Sequence, residues 1–559
     1  MVRRVVKLFY REIRGLHQAA YLLALFAFGS QVLAIVRDRL LAHSFGAGVE
    51  LDLYYAAFRI PDLMFVIFAS VLSVYVLIPF VARAQKRSGD QEGAHLLSEV
   101  FTFFLLGYSA LAAALFIFAP LYVPVVFTGF PAEQKAELVT LLRILLLQPF
   151  FLGISTLMGV ITQMRKRFVI YAISPILYNA GIIVGVVYLY PILGLPGLGW
   201  GVVLGAMAHL LVQLPIVRHS PLQFSFRRPR SDTLFPVIRT AIPRAITLSL
   251  NQVVLLILTI LATTMAVGSV SVFQFAFNLQ SVPLTIIGVS YSVAAFPVLA
   301  GFLAGEEFAK FRQHIQTAFR HIIFWSIPII ALSIVLRAHI VRLTLGSGNF
   351  TWDDTRLTAA ILALFIISLV AQSINLLTIR AFYANGDTRT PLMVAVLGTV
   401  ITLGSAFIGY RYVFALPGVQ NFFETLLRLT DVPGTEVIML AAGFSLGVTI
   451  QAILMLICLH RTFPHILRPL RRGLLVSLLV GTAGGAAAYI TLQSVVKGVN
   501  QDTFVGILLQ GGTALVVASV VMYGLYYLMR SPELLEINRA IHRRFRGQPT
   551  LGRPQKDTL

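Results

Sequence analysis

The sequence predicts an all-α membrane protein with many transmembrane helices, and three observations support this fold class. First, 57% of the 559 residues are hydrophobic and only 12% are charged, against about 25% charged residues in a typical soluble domain. Second, apolar runs of roughly 20 residues, the length that a helix needs to cross the hydrocarbon core, recur along the chain. Third, the alternating pattern of transmembrane β-strands is not seen in the sequence. One membrane-embedded helical bundle is therefore expected.

The apolar runs divide the chain into fourteen predicted transmembrane helices. Their limits are near 19–36, 53–82, 99–127, 137–162, 167–190, 196–217, 236–264, 270–300, 317–343, 355–380, 390–411, 437–460, 472–494 and 503–529. The basic segment before the first run is not followed by a small-residue cleavage site. We therefore expect the first run to remain as a helix rather than to be removed as a signal peptide.

Basic residues lie mainly in alternate connecting segments of this arrangement. They include Arg83, Lys86, Arg87, Arg165, Lys166, Arg167, Arg227, Arg228, Arg230, Lys310, Arg312, Arg468, Arg471, Arg472, Arg543, Arg544 and Arg546. By the positive-inside rule these segments and both termini are cytoplasmic, in a bacterial inner membrane. The topology and attraction to anionic lipid headgroups account for the net charge of +21, so we expect no nucleic-acid partner.

The chain is predicted to contain two parallel six-helix repeats. Residues 47–60 and 266–279 share a turn of small residues, aromatic residues and an Ala-Phe pair, and a proline follows in each, at Pro79 and Pro297. We expect an N-terminal lobe at 1–217, a basic cytoplasmic connector at 218–235, a C-terminal lobe at 236–461, two extra spans at 462–530 and a basic cytoplasmic tail at 531–559. Repeats of this kind place the substrate site of a transporter at their interface.

Charged and strongly polar residues inside the predicted spans are few. They are expected to be functional, since each ionised group costs about 2.5–3.5 kcal/mol at the centre of an inserted helix. The first two spans contain Gln31, Arg37, Asp38, Arg39, Asp52, Arg59 and Asp62, and the second half contains Arg244, Asn251, Gln252, Asn278 and Gln280. A guanidinium can hold phosphate oxygens in a bidentate way, so this set favours a cationic cavity for a phosphate group. Alternatively, Arg37 to Arg39 only cap the first span, and Arg59 and Asp62 neutralise each other.

Several other kinds of function lack support in the sequence. No GxSxG, HExxH or phosphate-binding-loop motif is present, the carboxylates are dispersed, and the histidines lack metal-ligand spacing. We therefore expect neither an enzyme nor a bound cofactor or metal. The single cysteine, Cys458, excludes an internal disulfide.

A set of motifs extends over most of the first twelve predicted spans. The set comprises Arg37-Asp38, Phe45-Gly46-Ala47-Gly48, Asp52, Phe58, Ile60-Pro61, Pro79, Gln213-Leu214-Pro215, Pro243-Arg244, Asn251-Gln252, Gly346 to Thr351, and Arg380 to Pro391. The last run, with the sequence RAFYANGDTRTP, is the most specific of them. In these motifs the sequence resembles the MurJ (MviN) lipid II flippases of the multidrug/oligosaccharidyl-lipid/polysaccharide exporter superfamily.

The resemblance implies a V-shaped pair of lobes around a cationic cavity that holds the pyrophosphate and sugars of lipid II. It also implies a groove for the polyprenyl tail within 462–530. Arg37 and Asp52 match family positions important for transport, and Arg59 matches a position that is usually basic. The full set of expected substrate-binding residues is Arg37, Asp52, Arg59, Arg244, Gln31 and Asn278, with Gly46, Gly48 and Pro61 expected to permit bending.

The chain departs from the family pattern at four positions. Well-studied members have arginine where this sequence has Gln31, Phe65 and Asn278, and an acidic residue where it has Ser70. The cavity is therefore expected to be less basic than in those members. Either Arg59 and Arg244 supply the missing charge, or the substrate headgroup differs.

The expected function is translocation of an undecaprenyl-linked peptidoglycan precursor to the outer leaflet by alternating access, driven by the membrane potential or an ion gradient. The alternatives are flipping of another polyprenyl-linked oligosaccharide, of O-antigen or capsule type, and a non-transporting scaffold for cell-wall enzymes. The expected partners are the polyprenyl diphosphate-linked glycan and membrane lipids, and cell-wall synthesis proteins are candidates. The outside loop at 413–436 has no assigned role.

Overall fold

The structure, a computed structural model, describes residues 16–218, 220–222, 224–467, 470–494 and 503–545. Within these ranges every regular element is a helix, which confirms the predicted all-α class. Among the described residues, twelve helical segments, some made of two adjoining helices, are long and apolar enough to cross a membrane, or up to thirteen if one bent pair is counted as a single span. The chain is thus a multi-pass membrane protein, but the predicted number of fourteen spans is not confirmed. Arg468 and Arg546 of the basic set lie outside the described residues.

The described part of the chain begins with eleven α-helices. They are α1 Leu16–Phe45, α2 Val49–Leu72, α3 Val74–Ser88, α4 Asp90–Val126, α5 Ala132–Leu145, α6 Leu147–Met164, α7 Phe168–Val184, α8 Tyr190–Leu193, α9 Leu195–Leu211, α10 Leu214–Arg218 and α11 Ser231–Thr263. A π-helical segment, Gly185–Leu189, joins α7 to α8. The predicted first span falls on α1, which is not among the twelve helices that meet the criteria for a crossing.

Twelve further α-helices follow. They are α12 Ser269–Leu284, α13 Ser290–Ala304, α14 Phe308–Val335, α15 Arg337–Thr344, α16 Trp352–Ile367, α17 Leu369–Ala384, α18 Arg389–Ile408, α19 Pro417–Leu427, α20 Ile438–Thr462, α21 Leu470–Ser494, α22 Phe504–Leu528 and α23 Pro532–Phe545. Two π-helical segments, Thr285–Val289 and Gly409–Val413, extend α12 and α18. The bent pair consists of α16 and α17, and the chain bends by 44° between them. Each predicted span from the second to the fourteenth falls on one of the helices α2 to α22 or on two adjoining ones.

The contacts between Cα atoms group the chain into two compact units, each assembled from separate stretches of sequence. Unit 1 comprises Met1–Phe277, Thr344–Ile361 and Pro391–Gly447, and unit 2 comprises Asn278–Leu343, Leu362–Thr390 and Val448–Leu559. The predicted lobes at 1–217 and 236–461 were inferred from sequence duplication, and they remain a prediction.

Glycines allow close helix packing in unit 1. Gly181 of α7 and Gly185 just after it lie against Gly201 and Gly205 of α9, and a Cβ atom built on Gly181 would come within 2.2 Å of the Gly205 Cα atom. Small residues spaced four apart let two backbones approach, which drives helix association where lipid replaces water. A Gly181→Ala substitution would therefore push α7 and α9 apart.

In unit 2 the last two spans pack on α14. Phe324 of α14, Val480 of α21, and Met522 and Tyr526 of α22 belong to one buried cluster. The Tyr526 hydroxyl lies 3.1 Å from both the Phe324 carbonyl oxygen and the Ser477 hydroxyl, so this polar group is satisfied inside an apolar cluster. These spans are thus an integral part of unit 2, and their role as a lipid-tail groove remains a prediction.

Candidate functional site

The second predicted span is interrupted at Ser73. Helix α2 ends at Leu72 and α3 begins at Val74, while Ser73 itself has φ −59° and ψ 133°, outside the helical region. Pro61, one of the predicted bending positions, lies inside α2, and the helix continues through it. A broken backbone within a membrane is tolerated where it lines a cavity or is buried in protein. The break at Ser73 therefore indicates a place to look for a site.

A cavity of about 350 Å³ lies beside this break, within unit 1. It is lined by Leu23, Phe65, Val66, Ala69, Ser70, Ser73, Val74, Thr156, Gln163, Tyr171, Arg244 and Leu248. Among these residues Arg244, which α11 contributes, is the only one with a permanent charge. Its terminal nitrogen NH1 donates a hydrogen bond to the Ser73 hydroxyl at 3.0 Å. We call this space the Arg244 cavity.

The lining of the Arg244 cavity combines three kinds of group. The guanidinium of Arg244 supplies positive charge and several N–H donors in a plane, a geometry that matches phosphate oxygens. Hydroxyl and amide groups from Ser73, Thr156 and Gln163 can exchange hydrogen bonds with a polar ligand. Apolar side chains such as Phe65 and Leu248 complete the wall. This composition fits a ligand with an anionic, hydrogen-bonding head.

Asp52 lies at a contact between α2 and the beginning of α12. Together with Arg59, Thr259, Gly268, Ser271 and Gln274, it forms a cluster that we call the helix joint. Its carboxylate, only 4% exposed, accepts hydrogen bonds from the backbone N–H groups of Gly268 at 2.7 Å and Ser271 at 2.8 Å, and from the Ser271 hydroxyl at 2.6 Å. A carboxylate at a helix N-terminus satisfies N–H groups that lack a partner within the helix and interacts favourably with the helix dipole. Asp52 thus fastens α2 to α12.

The helix joint depends on a glycine at position 268. Gly268 has φ +89°, a backbone conformation that residues other than glycine rarely adopt. A Cβ atom at this position would lie 2.3 Å from the Ala47 carbonyl oxygen. The positive φ directs its N–H group toward Asp52 while the backbone of residue 47 passes close by. Only glycine satisfies both conditions.

Arg59 is buried in the same joint, with 5% of its surface exposed. Its Nε donates to the Thr259 hydroxyl at 2.7 Å, and its NH2 group donates to the side-chain oxygen of Gln274. These hydrogen bonds go to neutral side chains of α11 and α12 rather than to Asp62, the partner considered in the sequence. Arg59 therefore links α2 to two other helices of unit 1.

Arg37 is bonded to protein groups near the end of α1. It pairs with Asp38 at 2.7 Å, and its NH1 group donates to the side-chain oxygen of Asn179 in α7 at 2.9 Å. Asn179 in turn donates to the Pro175 carbonyl oxygen at 3.1 Å. Arg37 thus connects α1 with α7 and is not among the residues that line the Arg244 cavity.

Two of the motifs quoted for the family contact each other next to the helix joint. Gly46 ends α1 with φ +62°, and a Cβ atom there would lie 2.5 Å from the Asn349 carbonyl oxygen. The Asn349 N–H group donates to the His43 carbonyl oxygen at 2.9 Å. Gly48 is the residue before α2. Both glycines thus serve tight turns and close packing in this structure, and a role in bending remains a prediction.

The predicted site residues are therefore only partly brought together. Arg244 lines the cavity, Asp52 and Arg59 lie in the helix joint, and Arg37 lies at the α1–α7 contact. Gln31 is half-buried on α1, outside the cavity lining, and Asn278 belongs to unit 2. The sequence analysis missed Ser73, Thr156, Gln163 and Tyr171. A signal for Ser73 was available, because the predicted span 53–82 is much longer than the roughly 20 residues of one crossing.

Comparison with solved structures identifies the fold. A structure titled lipid II flippase MurJ, inward closed conformation, matches 91% of this chain and 99% of its own, with a TM-score of 0.70 and 21% identity. An inward-facing multidrug resistance transporter of the MATE family and MOP superfamily matches 78% of this chain and 96% of its own, with a TM-score of 0.65 and 16% identity. The fold is thus one that polytopic membrane transporters use.

Sequence comparison is more specific. A family model described as lipid II flippase MurJ matches residues 41–509. A probable lipid II flippase MurJ of Buchnera aphidicola is 25% identical over 78% of this chain and 88% of its own length. A lipid II flippase MurJ of Burkholderia cenocepacia is 26% identical over 68% of this chain and 75% of its own length. A probable lipid II flippase MurJ of Thermotoga maritima is 28% identical over 67% of this chain and 76% of its own length. The chain belongs to the lipid II flippase MurJ family, which confirms the resemblance seen in its motifs.

Proposed function

We propose that this chain translocates lipid II, the polyprenyl diphosphate-linked precursor of peptidoglycan, from the cytoplasmic to the outer leaflet of the bacterial inner membrane. Membership of the family supports the kind of substrate. The Arg244 cavity is the observation that supports the route, because it places a guanidinium beside a broken helix within the membrane-spanning part of unit 1.

In this proposal Arg244 binds the diphosphate of the substrate. Its planar fork of N–H donors can hold two phosphate oxygens at once, as a lysine ammonium cannot. The Ser73 hydroxyl, which accepts from Arg244 at 3.0 Å, orients that fork and can itself donate to a phosphate oxygen. Thr156 and Gln163 then face the sugars, while the polyprenyl tail stays in lipid.

The helix joint supplies a closed barrier for an alternating-access cycle. Its bonds to Asp52 and Arg59 connect α2, from the predicted N-terminal lobe, with α11 and α12, from the predicted C-terminal lobe. The joint lies next to the turns at 46–48 and 264–268, which the charge pattern assigns to the outside. Opening toward the outside then requires these bonds to break, and the orientation with both termini cytoplasmic is part of the proposal.

The membrane potential can drive this direction of transport without a cofactor. An inside-negative membrane potential drives a diphosphate that carries about two negative charges outward. At roughly 2.3 kcal/mol per charge per 100 mV, the gain is about 4–5 kcal/mol per 100 mV. Net flipping then needs no nucleotide, although an ion gradient could also contribute.

A second candidate is a different polyprenyl-linked glycan, and one observation favours it. Phe65 and Ser70, two of the positions where the sequence departs from well-studied members, both line the Arg244 cavity. An apolar ring and a hydroxyl at these positions make the cavity less charged than the one expected in well-studied members. A cavity of this kind would suit a substrate with a different headgroup. The diphosphate would be recognised by Arg244 in either case.

Complementation of a bacterium depleted of its own lipid II flippase tests the proposal. The wild type should restore growth, Arg244→Ala should fail at matched expression, and Arg239→Ala should restore it, since Arg239 lies on the same helix but is exposed. Arg37→Ala and Arg59→Ala, measured in parallel, separate loss of contacts between helices from loss of the cavity cation. If a well-expressed wild type fails to rescue, the second candidate is favoured. Rescue by Arg244→Ala would refute the role of the cavity.

A further inference from the structure

The connection between α18 and α20 contains a helix, α19, that exposes several large apolar side chains although half-buried polar groups lie on it. Toward the rest of the protein, α19 presents Gln420 and Glu424. The Gln420 amide donates to Glu424 Oε1 at 2.8 Å, and the Thr435 hydroxyl donates to the same oxygen at 2.7 Å. On the opposite side Phe422 and Leu426 are each 60% exposed, and Leu416, just before the helix, is 56% exposed. A helix bordered by water would bury apolar groups of this size.

Exposed apolar side chains also occur on α18, the helix that precedes α19 in the chain. Val400, Phe407 and Ile408 of α18 are 62%, 45% and 53% exposed, and Tyr412 in the following π-helical segment is 62% exposed. Large apolar side chains exposed along a span face lipid. Three residues separate Val413 from Pro417, so even a fully extended chain gives at most about 14 Å between them. Helix α19 therefore begins close to the membrane boundary where α18 leaves it.

The end of α19 is fixed to the neighbouring helix α16. The Arg356 guanidinium donates to the Arg428 carbonyl oxygen through Nε at 3.1 Å and to Asp431 Oδ2 through NH1 at 2.8 Å. Arg428 adopts a left-handed conformation that terminates the helix. Because both ends are tied to spans of unit 1, the direction of the apolar face is set by the protein and not by a mobile loop.

We propose that α19 is an interfacial helix that lies in the headgroup–acyl boundary of the membrane, with Leu416, Phe422 and Leu426 inserted into lipid. Lipid is favoured as the occupant because α19 follows within a few residues of α18, a membrane-spanning helix that also exposes large apolar side chains. Large apolar side chains exposed on a short helix beside a span are typical of helices in the membrane interface. Under the orientation proposed above the leaflet is the outer one, but insertion into lipid does not depend on the substrate.

Site-specific fluorescence in lipid nanodiscs tests this inference. The single native cysteine is removed by Cys458→Ala, and one cysteine for labelling with an environment-sensitive fluorophore is introduced by Phe422→Cys or Leu426→Cys. Thr430→Cys, which is exposed in the same loop, is the matched aqueous reference, and Val400→Cys is the reference for the hydrocarbon core. Emission wavelength, quenching by iodide and quenching by lipids spin-labelled at shallow or deep acyl positions are then measured.

The expected result is a blue-shifted emission at positions 422 and 426, with stronger quenching by shallow than by deep spin-labelled lipids. Thr430→Cys should respond to iodide, and Val400→Cys should respond to deep labels. Quenching of 422 and 426 by iodide to the extent seen at 430 would overturn the proposal. Protection from both iodide and lipid quenchers would also overturn it, since protein would then cover the face.

Discussion

Arginines occur in both the helix joint and the Arg244 cavity, but their surroundings differ. In the joint, Arg59 is buried and donates to Thr259 and Gln274 on two other helices, while Asp52 accepts three hydrogen bonds at the start of α12. In the cavity, Arg244 borders about 350 Å³ of open space and donates to Ser73 at a break in the backbone. The first arrangement is closed by protein, and the second has room for a ligand.

The difference shows that an ionisable residue in a span does not by itself identify a substrate ligand. The cost of placing charge in a membrane is met either by bonds that hold helices together or by a hydrated site. The partners of each side chain distinguish them, and these partners predict different consequences for stability and transport.

The largest effect on stability is expected for Asp52→Ala. The substitution removes the carboxylate that accepts three hydrogen bonds. The buried N–H groups of Gly268 and Ser271 then lose the acceptor that they have in the wild type. Unsatisfied buried donors cost about 1–3 kcal/mol each, so the loss of the acceptor for two N–H groups is expected to lower the free energy of unfolding by about 2–6 kcal/mol. Thermal unfolding of the purified protein in detergent measures it.

Asp52→Asn is the control for this prediction. One amide oxygen can still accept from Ser271, whereas the amide nitrogen cannot accept from Gly268, so an intermediate loss is expected. An Asp52→Ala variant that unfolds at the wild-type temperature yet fails to transport would contradict the structural role of Asp52. It would move this residue from the joint to the substrate site.

Arg244→Ala is expected to have the opposite profile, with a large loss of transport and little loss of stability. A hydrogen bond to a charged group contributes about 1.5–3 kcal/mol, which corresponds to a decrease of roughly 10- to 100-fold in the rate of flipping. The rate is measured by reconstitution with a fluorescent lipid II analogue, with Arg239→Ala as the control on the same helix. Equal losses of melting temperature in Arg244→Ala and Asp52→Ala would erase the distinction between cavity and joint.

The fold class and the positions of most spans could be predicted from the sequence, because the requirement for about 20 apolar residues is local. The predicted number of fourteen spans is not confirmed, because α1 is not among the helices long and apolar enough to cross and the pair α16–α17 is bent by 44°. The cavity residue Arg244 was among the predicted site residues. Its neighbours Ser73 and Thr156 were not. The length of the predicted span 53–82 was the only signal for Ser73, and Thr156, an uncharged hydroxyl inside an apolar run, carries no distinctive signal.

The joint could not be predicted from the sequence for a different reason. Asp52 and its partners Gly268 and Ser271 are separated by 216 and 219 residues along the chain. A single sequence gives no information about contacts over such distances. The residue types alone therefore favoured a substrate-binding role for Asp52 and Arg59, which remains a prediction, and only the folded arrangement shows their bonds between helices.

A smaller effect on stability is expected for Thr259→Val, which removes the hydroxyl that accepts from Arg59 Nε at 2.7 Å while preserving shape. The expected loss is about 1–2 kcal/mol in the free energy of unfolding. Thr259→Ser keeps the hydroxyl and is the matched control. In a double-mutant cycle with Arg59→Met, the two losses should be less than additive. Strict additivity would mean that the hydrogen bond does not stabilise the joint.

The smallest effect is expected at the exposed pair of Arg356 and Asp431, a contact outside both the joint and the cavity. The hydrogen bond from Arg356 lowers the pKa of Asp431 below its ordinary value of 3.8. A carboxyl whose pKa is lower in the folded state stabilises that state above its unfolded pKa, and the contribution is lost as the pH falls through the folded-state pKa. The loop that follows α19 should therefore keep its protection at neutral pH and lose it only in acid.

Hydrogen–deuterium exchange of the segment 428–434, corrected for the intrinsic dependence of exchange on pH, measures this loss. Asp431→Asn removes the titrating group, so its loop should show no acid-dependent step. A step that persists in Asp431→Asn would assign the titration to another group. A step near neutral pH in the wild type would also contradict the prediction, because a lowered carboxyl pKa cannot produce it. Exposure to water and salt screening keep the effect of such a surface pair small, in contrast with the buried bonds of the joint.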